Sequence, residues 1–160
     1  MKEAKFSQVK GTFTMVCKVE INIQANANVV WELLTGAADF PRWNSTVSKI
    51  GGQIRDGEQI MIHVPGTKRT FKPTISGYIQ NERMVWSNGF APVFKGSRIF
   101  QLAPSADGST DFIMEEKFSG IVFAMFKRML PDFKEIFEAY AGDLKREAER
   151  ISSRTLGECA

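Results

Sequence analysis

The sequence predicts an α+β fold in which an antiparallel sheet of seven strands is covered by one long C-terminal helix. Apolar and polar residues alternate from Thr12 to Ile23, turn-forming residues cut 46–119 into short alternating runs, and from Phe133 onward the apolar spacing changes to three and four. A sheet with one bare apolar face needs a cover, and the C-terminal helix is the element long enough to provide it.

The first strand sets Phe13, Met15, Cys17, Val19, Ile21 and Ile23 on one face, with Val16 alone interrupting the polar side. Asn26 is suited to cap a short helix whose Val30, Trp31 and Leu34 share a face before Gly36 ends it. A second helical turn is expected over Asp39–Trp43, with Pro41 near its start, where a missing N–H costs little. Gly51-Gly52, Asp56-Gly57, Pro65-Gly66, Asn81 and Asp107-Gly108 then separate strands expected near 46–54, 58–64, 69–79, 83–90, 94–103 and 110–119. Ile60, Ile62 and Val64 share one face; so do Phe71, Pro73, Ile75 and Ile79, and likewise Met84, Trp86 and Phe90. A short helix is expected at 121–129. Beyond Pro131, the residues Phe133, Phe137, Tyr140, Leu144, Ala148 and Ile151 form the apolar stripe of the long helix.

The chain has 160 residues, 43% hydrophobic and 24% charged, which suits one domain over 1–160 with a core at about 12–152 and polar tails at both ends. No apolar run approaches the ~18 residues of a membrane span. The polar start, Met1 to Lys10, does not read as a secretion signal. The two cysteines, Cys17 and Cys159, make no disulfide framework, so the cytoplasm is the expected location.

The same inventory excludes chemistry. His63 is the one histidine, which removes sites built on paired imidazoles, and with two distant cysteines no metal centre is expected. Neither a GxGxxG nor a Walker-type glycine loop occurs, so no cofactor is expected. The net charge of +3 leaves no nucleic-acid footprint, because Lys145, Arg146 and Arg150 alternate with Asp143, Glu147 and Glu149 as on a solvated helix face.

The order of elements and six stretches carry a resemblance. They are ANANVVWELL at 25–34, FPRWN at 40–44, TFKPTI at 70–75, MVWSNGF at 84–90, VFKGSRIFQL at 93–102 and MEEKFSGIV at 114–122. Together they resemble the START/Bet v 1-like (SRPBCC) superfamily, most nearly its bacterial polyketide cyclase/dehydrase-like branch. The resemblance implies a helix-grip fold, with a curved seven-stranded antiparallel sheet wrapped around the C-terminal helix and two short helices after strand 1. It also implies an internal cavity between sheet and helix. Two positions depart from the branch: Ser45 stands where proline is expected after Trp43-Asn44, and Arg98 stands where histidine is common.

Strand parity brings out the candidate site. Phe94, Gly96, Arg98, Phe100 and Leu102 share one face, and Phe112, Met114, Glu116 and Phe118 share the face of the next strand. The short connection Pro104–Ser109 makes these a hairpin, and a register with Phe100 opposite Met114 sets Arg98 opposite Glu116. Cβ atoms in such pairs are ~5 Å apart, within reach of a charge-assisted hydrogen bond. Two opposed charges on an apolar face form a structural pair or meet a ligand, unless the face itself is misassigned. The expected ligand-lining residues are Trp43, Phe71, Trp86, Asn88, Phe90, Arg98, Phe100, Phe112, Met114, Glu116, Phe118, Phe126, Phe133, Phe137 and Tyr140, with Glu116 and Arg98 as the catalytic candidates. Periodicity does not distinguish a cavity wall from a filled core. Asn44 is expected to tie down the helix-to-strand turn, and His63 to face outward.

The leading expectation is a protein that binds a lipid-like or polycyclic molecule, admitted between the long helix and the loops near 36–44, 65–68 and 90–95. One alternative is a polyketide cyclase/aromatase-type enzyme using the same cavity, with Glu116 as base and Arg98 polarising a carbonyl. Another is a module that touches a membrane or partner through the apolar segment 121–130. An apolar small molecule is favoured over peripheral membrane contact, nucleic acid is not expected, and a monomer or a homodimer fits.

Overall fold

A computed structural model describes residues 3–66 and 68–158; Cys159 and residue 67 of the 65–68 loop lie outside them. Strand β1 (Lys5–Lys10) pairs antiparallel along its length with β2 (Thr14–Ile23). Helices α1 (Ala27–Thr35) and α2 (Phe40–Trp43) follow, joined by a 3-10 turn at Ala37–Asp39. The meander then runs through β3 (Lys49–Gly51), β4 (Met61–His63), β5 (Thr70–Phe71), β6 (Thr74–Ile79), β7 (Arg83–Phe90), β8 (Phe94–Pro104) and β9 (Thr110–Ser119). Helix α3 (Ile121–Phe126), a 3-10 turn at Lys127–Met129 and helix α4 (Phe133–Glu158) complete the described residues.

Six strands form one sheet in the order β1-β2-β9-β8-β7-β6, and three form another, β3-β4-β5. The two share a register. Ile62↔Phe71, His63↔Thr70 and the isolated pair Gln59↔Thr74 fall on one ladder. The Ile60 amide donates to the Pro73 carbonyl at 3.0 Å, and the Ile75 amide to the Glu58 carbonyl at 2.9 Å. Pro73 has no N–H to return, so the ladder is interrupted between β5 and β6 without slipping. Across this proline the seven expected strands are all present, and the α+β class with its long C-terminal helix holds.

Three departures have local causes. The supposed polar tail contains β1, whose residues are exposed except for Phe6, which turns inward to meet Phe137 edge-on at 5.8 Å. Phe13, expected on the inner face of the first strand, lies in the β1–β2 turn and is exposed. Ile79 is exposed because the β6–β7 register shifts between Ser76 and Ile79, where Gly77 takes φ +57°. The shift turns Tyr78 toward Trp31, whose indole N–H donates to the phenol oxygen at 3.2 Å.

Helix α4 lies on the inner face of the sheet and buries Phe137, Tyr140, Ala141, Leu144 and Ala148. Helix α1 adds Val30, Trp31, Leu33 and Leu34 to the core. The solvated charge pattern expected on α4 needs correcting at two positions, because Asp143 and Glu147 are buried. Asp143 accepts the Ser45 N–H at 2.8 Å and its hydroxyl at 2.6 Å, while Glu147 accepts Arg42 at 2.6 Å. These acids, one turn apart, fasten α4 to α2 and the loop after it. Proline at position 45 has no N–H to donate, so the departure from the resembling branch serves this clamp.

Candidate functional site

The pairings Cys17↔Glu116, Glu116↔Arg98 and Arg98↔Trp86 set four side chains in one row across β2, β9, β8 and β7. Arg98 lies opposite Glu116, the register that strand parity requires. Its Nη2 donates to Glu116 Oε2 at 2.5 Å and its Nε to the same oxygen at 3.1 Å. The guanidinium carbon stands 5.6 Å from the centroid of the Phe137 ring, so α4 covers the charge with an aromatic face. The two side chains are 23% and 15% exposed, so solvent still reaches the pair.

The electrostatics follow from this packing. Burial opposes the Arg98 charge, but the charge and hydrogen bonds of Glu116 outweigh it and hold the guanidinium above its usual value. Burial pushes the Tyr140 phenol up, and Arg98 offsets only part of that. Burial likewise raises the Cys17 thiol, against a hydrogen bond from Gln8. At neutral pH the phenol and thiol are protonated and neither is a ready nucleophile.

Aromatic side chains surround the pair in two halves. In the deep half, ring centroids are 4.8 Å apart for Phe40–Trp43 and Trp86–Phe100, and 6.0 Å for Trp43–Tyr140 and Phe100–Tyr140. Phe112 and Met114 are buried with them. Three polar atoms here, Trp43 Nε1, Trp86 Nε1 and Tyr140 Oη, are buried with no hydrogen-bond partner among the described residues. Each such group costs about 1–3 kcal/mol in an apolar interior. The outer half is looser. Phe118 meets Phe133 at 5.2 Å and Phe123 of α3 at 6.3 Å, and Phe133 meets Phe137 at 6.2 Å. Phe94, Phe118, Phe133 and Asn88 are only half-buried, and Gly96 brings no side chain to the face beside Arg98.

Three expected lining residues do not turn inward. Phe71, Phe90 and Phe126 are exposed. Phe71 sits on a two-residue strand beside Pro73, Phe90 ends β7 where the chain turns into Ala91-Pro92, and Phe126 ends a helix that buries only Phe123. Phe71 and Phe90 keep their ladder partners, Ile62 and Phe94, but lie at strand ends where no side chains cover the face. Conversely, Phe40 is fully buried at the centre of the deep half, and sequence reasoning misses it because a four-residue helix is too short to show a period.

The Asn44 side-chain oxygen accepts the Thr46 amide at 2.8 Å and hydroxyl at 2.7 Å, which holds the turn after α2. His63 lies on the strand face opposite Ile62, partly exposed, near Thr70. The two best-formed hollows of the described residues lie away from the pair. One of about 390 Å³ is polar, lined by Asn22, Gln24, Ser105, Asp107, Ser109, Asp111, Lys145 and Glu149; the other lies against β1 and β2. The internal cavity that the resemblance implies is not one of them. Among the described residues no group of three or more His, Cys, Asp and Glu is arranged to hold a metal, and no helix is long and apolar enough to cross a membrane.

A START superfamily protein from Mycobacterium smegmatis shares the fold at TM-score 0.64 and 16% identity, over 85% of this chain and 98% of that one. A conserved protein of unknown function from Enterococcus faecalis, EF2215, matches at TM-score 0.63 and 18% identity, over 89% and 75% of the two chains. DynU16, from the dynemicin biosynthetic locus, matches at 0.60 and 16%, over 81% of this chain and 45% of its own. No curated protein matches. At these identities the neighbours show fold alone. The sequence itself matches a family pattern over residues 14–149, from the start of β2 into α4. The chain therefore belongs to the SRPBCC-type family described as polyketide cyclase/dehydrase and lipid transport.

Proposed function

We propose that this protein binds an apolar small molecule carrying hydrogen-bond acceptors, held between the sheet and α4 with its acidic or carbonyl end at Arg98. The observation that carries the reading is the set of donors without a partner among the described residues, Trp43 Nε1, Trp86 Nε1 and Tyr140 Oη, in an aromatic interior beside the partly exposed Arg98 side chain. Buried polar groups are normally satisfied. Indole N–H groups can only donate, which selects acceptor oxygens on the guest over plain hydrocarbon. Arg98 spends Nε and Nη2 on one carboxylate oxygen and keeps further donors for a second.

The rings fill much of the interior, so a guest has to displace some of them. The outer half gives way at least cost, because Phe94, Phe118 and Phe133 are half-buried and α3 is anchored in the core by Phe123 alone. The apolar surface lost there is regained against the ligand. The free, buried thiol of Cys17 suits a reducing cytoplasm.

Displacement of a fluorescent fatty acid tests the reading. Arg98→Ala is expected to weaken carboxylate-bearing ligands about tenfold and their neutral analogues far less. Equal loss for both removes Arg98 as the anchor, and absence of uptake by the unaltered protein overturns the proposal.

A second reading is a cyclase using Glu116 as base. It is favoured by one detail: both Arg98 bonds fall on Oε2, which leaves Oε1 for a guest. Glu116→Gln then abolishes turnover of a polyketide substrate, whereas a carrier shows no turnover and keeps most of its binding.

A further inference from the structure

Three segments meet at one end of the sheet. The Gly120 amide donates to the Phe13 carbonyl at 3.0 Å, and the amides of Ile121 and Val122 donate to the carbonyls of Pro92 and Val93 at 3.0 Å. Lys127 Nζ donates to the carbonyls of Gly11 and Thr12 at 3.4 and 3.3 Å. These bonds gather the β1–β2 turn, the β7–β8 turn and the α3 segment into one surface.

That surface is apolar and turned outward. Phe90 is 68% exposed, Met125 70% and Met129 79%, with Phe126 at 50% and Phe13 and Ile121 beside them. Helix α3, with sequence IVFAMF, has no polar face and gives only Phe123 to the core. Contiguous apolar display of this kind marks a contact site. Charge selects the occupant. No acid occurs in 5–19, 83–106 or 117–131, the stretches that build this end, whereas Lys10, Lys95, Lys127 and Arg128 lie in or beside its turns. The nearest acids in the chain are Glu20, Glu82, Asp107, Glu116, which is paired with Arg98, and Asp132 and Glu135, where α4 begins. Protruding phenylalanine and methionine side chains carried on three separate turns suit a deformable surface.

We propose that this end of the molecule docks on an anionic lipid bilayer. Met125, Phe126, Met129 and Phe90 enter the boundary between headgroups and acyl chains, while Lys95 and Arg128 rest against anionic headgroups. The docking rests on the exterior alone and does not require a guest inside.

Sedimentation of the full chain with vesicles tests it, using phosphatidylcholine alone and phosphatidylcholine with about one-third phosphatidylglycerol. The protein is expected to sediment with the anionic vesicles about tenfold more strongly than with neutral ones, and less at raised salt. Met125→Ser with Phe126→Ser lowers binding about tenfold or more, and Lys95→Glu with Arg128→Glu does so by charge. All four side chains are exposed, so circular dichroism is expected to show an unchanged fold. Absence of sedimentation, or sedimentation indifferent to both pairs of substitutions, overturns the proposal. A concentration-dependent dimer that Met125→Ser with Phe126→Ser abolishes, without vesicle binding, assigns the surface to a second copy and overturns it equally.

Discussion

Arg98 and Glu116 hold each other on a face that is otherwise apolar, so removing either leaves a charge without its partner. Breaking a fully buried pair costs about 3–5 kcal/mol; here solvent access reduces this, and Arg98→Ala is expected to destabilise by about 2 kcal/mol. Arg98→Met combined with Glu116→Leu recovers most of it, because neither charge is then desolvated. Urea midpoints for the two single variants and the double variant check this, and a double variant as weak as the singles contradicts it. Gly120 is a second point of sensitivity. It takes φ +119°, and a Cβ there stands 2.4 Å from the Val93 carbonyl oxygen. Gly120→Ala is expected to cost about 2 kcal/mol or more by moving backbone at the junction of β9 and α3. The ion pair is legible from sequence because a hairpin with a short connection has few registers to choose from. The exposure of Phe90 is not, because alternation gives no sign of where the cover over a strand face ends.

Helix α4 is fastened by acids as well as by its apolar stripe. Hydrogen bonds from Arg150, joined by those from Arg42, outweigh burial and hold the Glu147 carboxyl at about 2, below its ordinary 4.5. A carboxyl depressed in the folded state stabilises that state above its unfolded value and loses the contribution as pH falls through the folded one. Glu147 thus supports the fold at neutral pH and ceases to do so between pH 4.5 and about 2. Both arginines are substantially exposed, so Glu147→Gln is expected to cost about 1–2 kcal/mol at neutral pH. Melts at a series of pH values are expected to converge for variant and unaltered protein near pH 2; a gap that persists there contradicts the assignment. Charges alternating along a helix read as solvated until a neighbouring element is known, and α2, which supplies Arg42, is four residues long.

Across the whole molecule, order is distributed unevenly. β2, β8 and β9 pair on both sides at the centre of the sheet and lie under α4, whereas α3 is anchored in the core by one side chain. Amide exchange is therefore expected to be slowest in these three strands and fastest, among the helices, in α3. Ligand uptake from the α3 end predicts slower exchange of 121–126 in the loaded protein. Equal exchange with and without ligand places the opening elsewhere.

The amino-acid sequence by itself determined the α+β class, the order of elements from β2 onward, the long covering helix and the alignment of Arg98 with Glu116. All of these follow from period and parity, which are properties of neighbours along the chain. Tertiary structure alone decided that β1 joins the sheet, that Asp143 and Glu147 turn inward, and that Phe40 sits among the rings around Tyr140. It also decided that Phe71, Phe90 and Phe126 face solvent. Each of these outcomes depends on which distant segment arrives beside a residue, and that is fixed by packing between elements rather than by pattern within one.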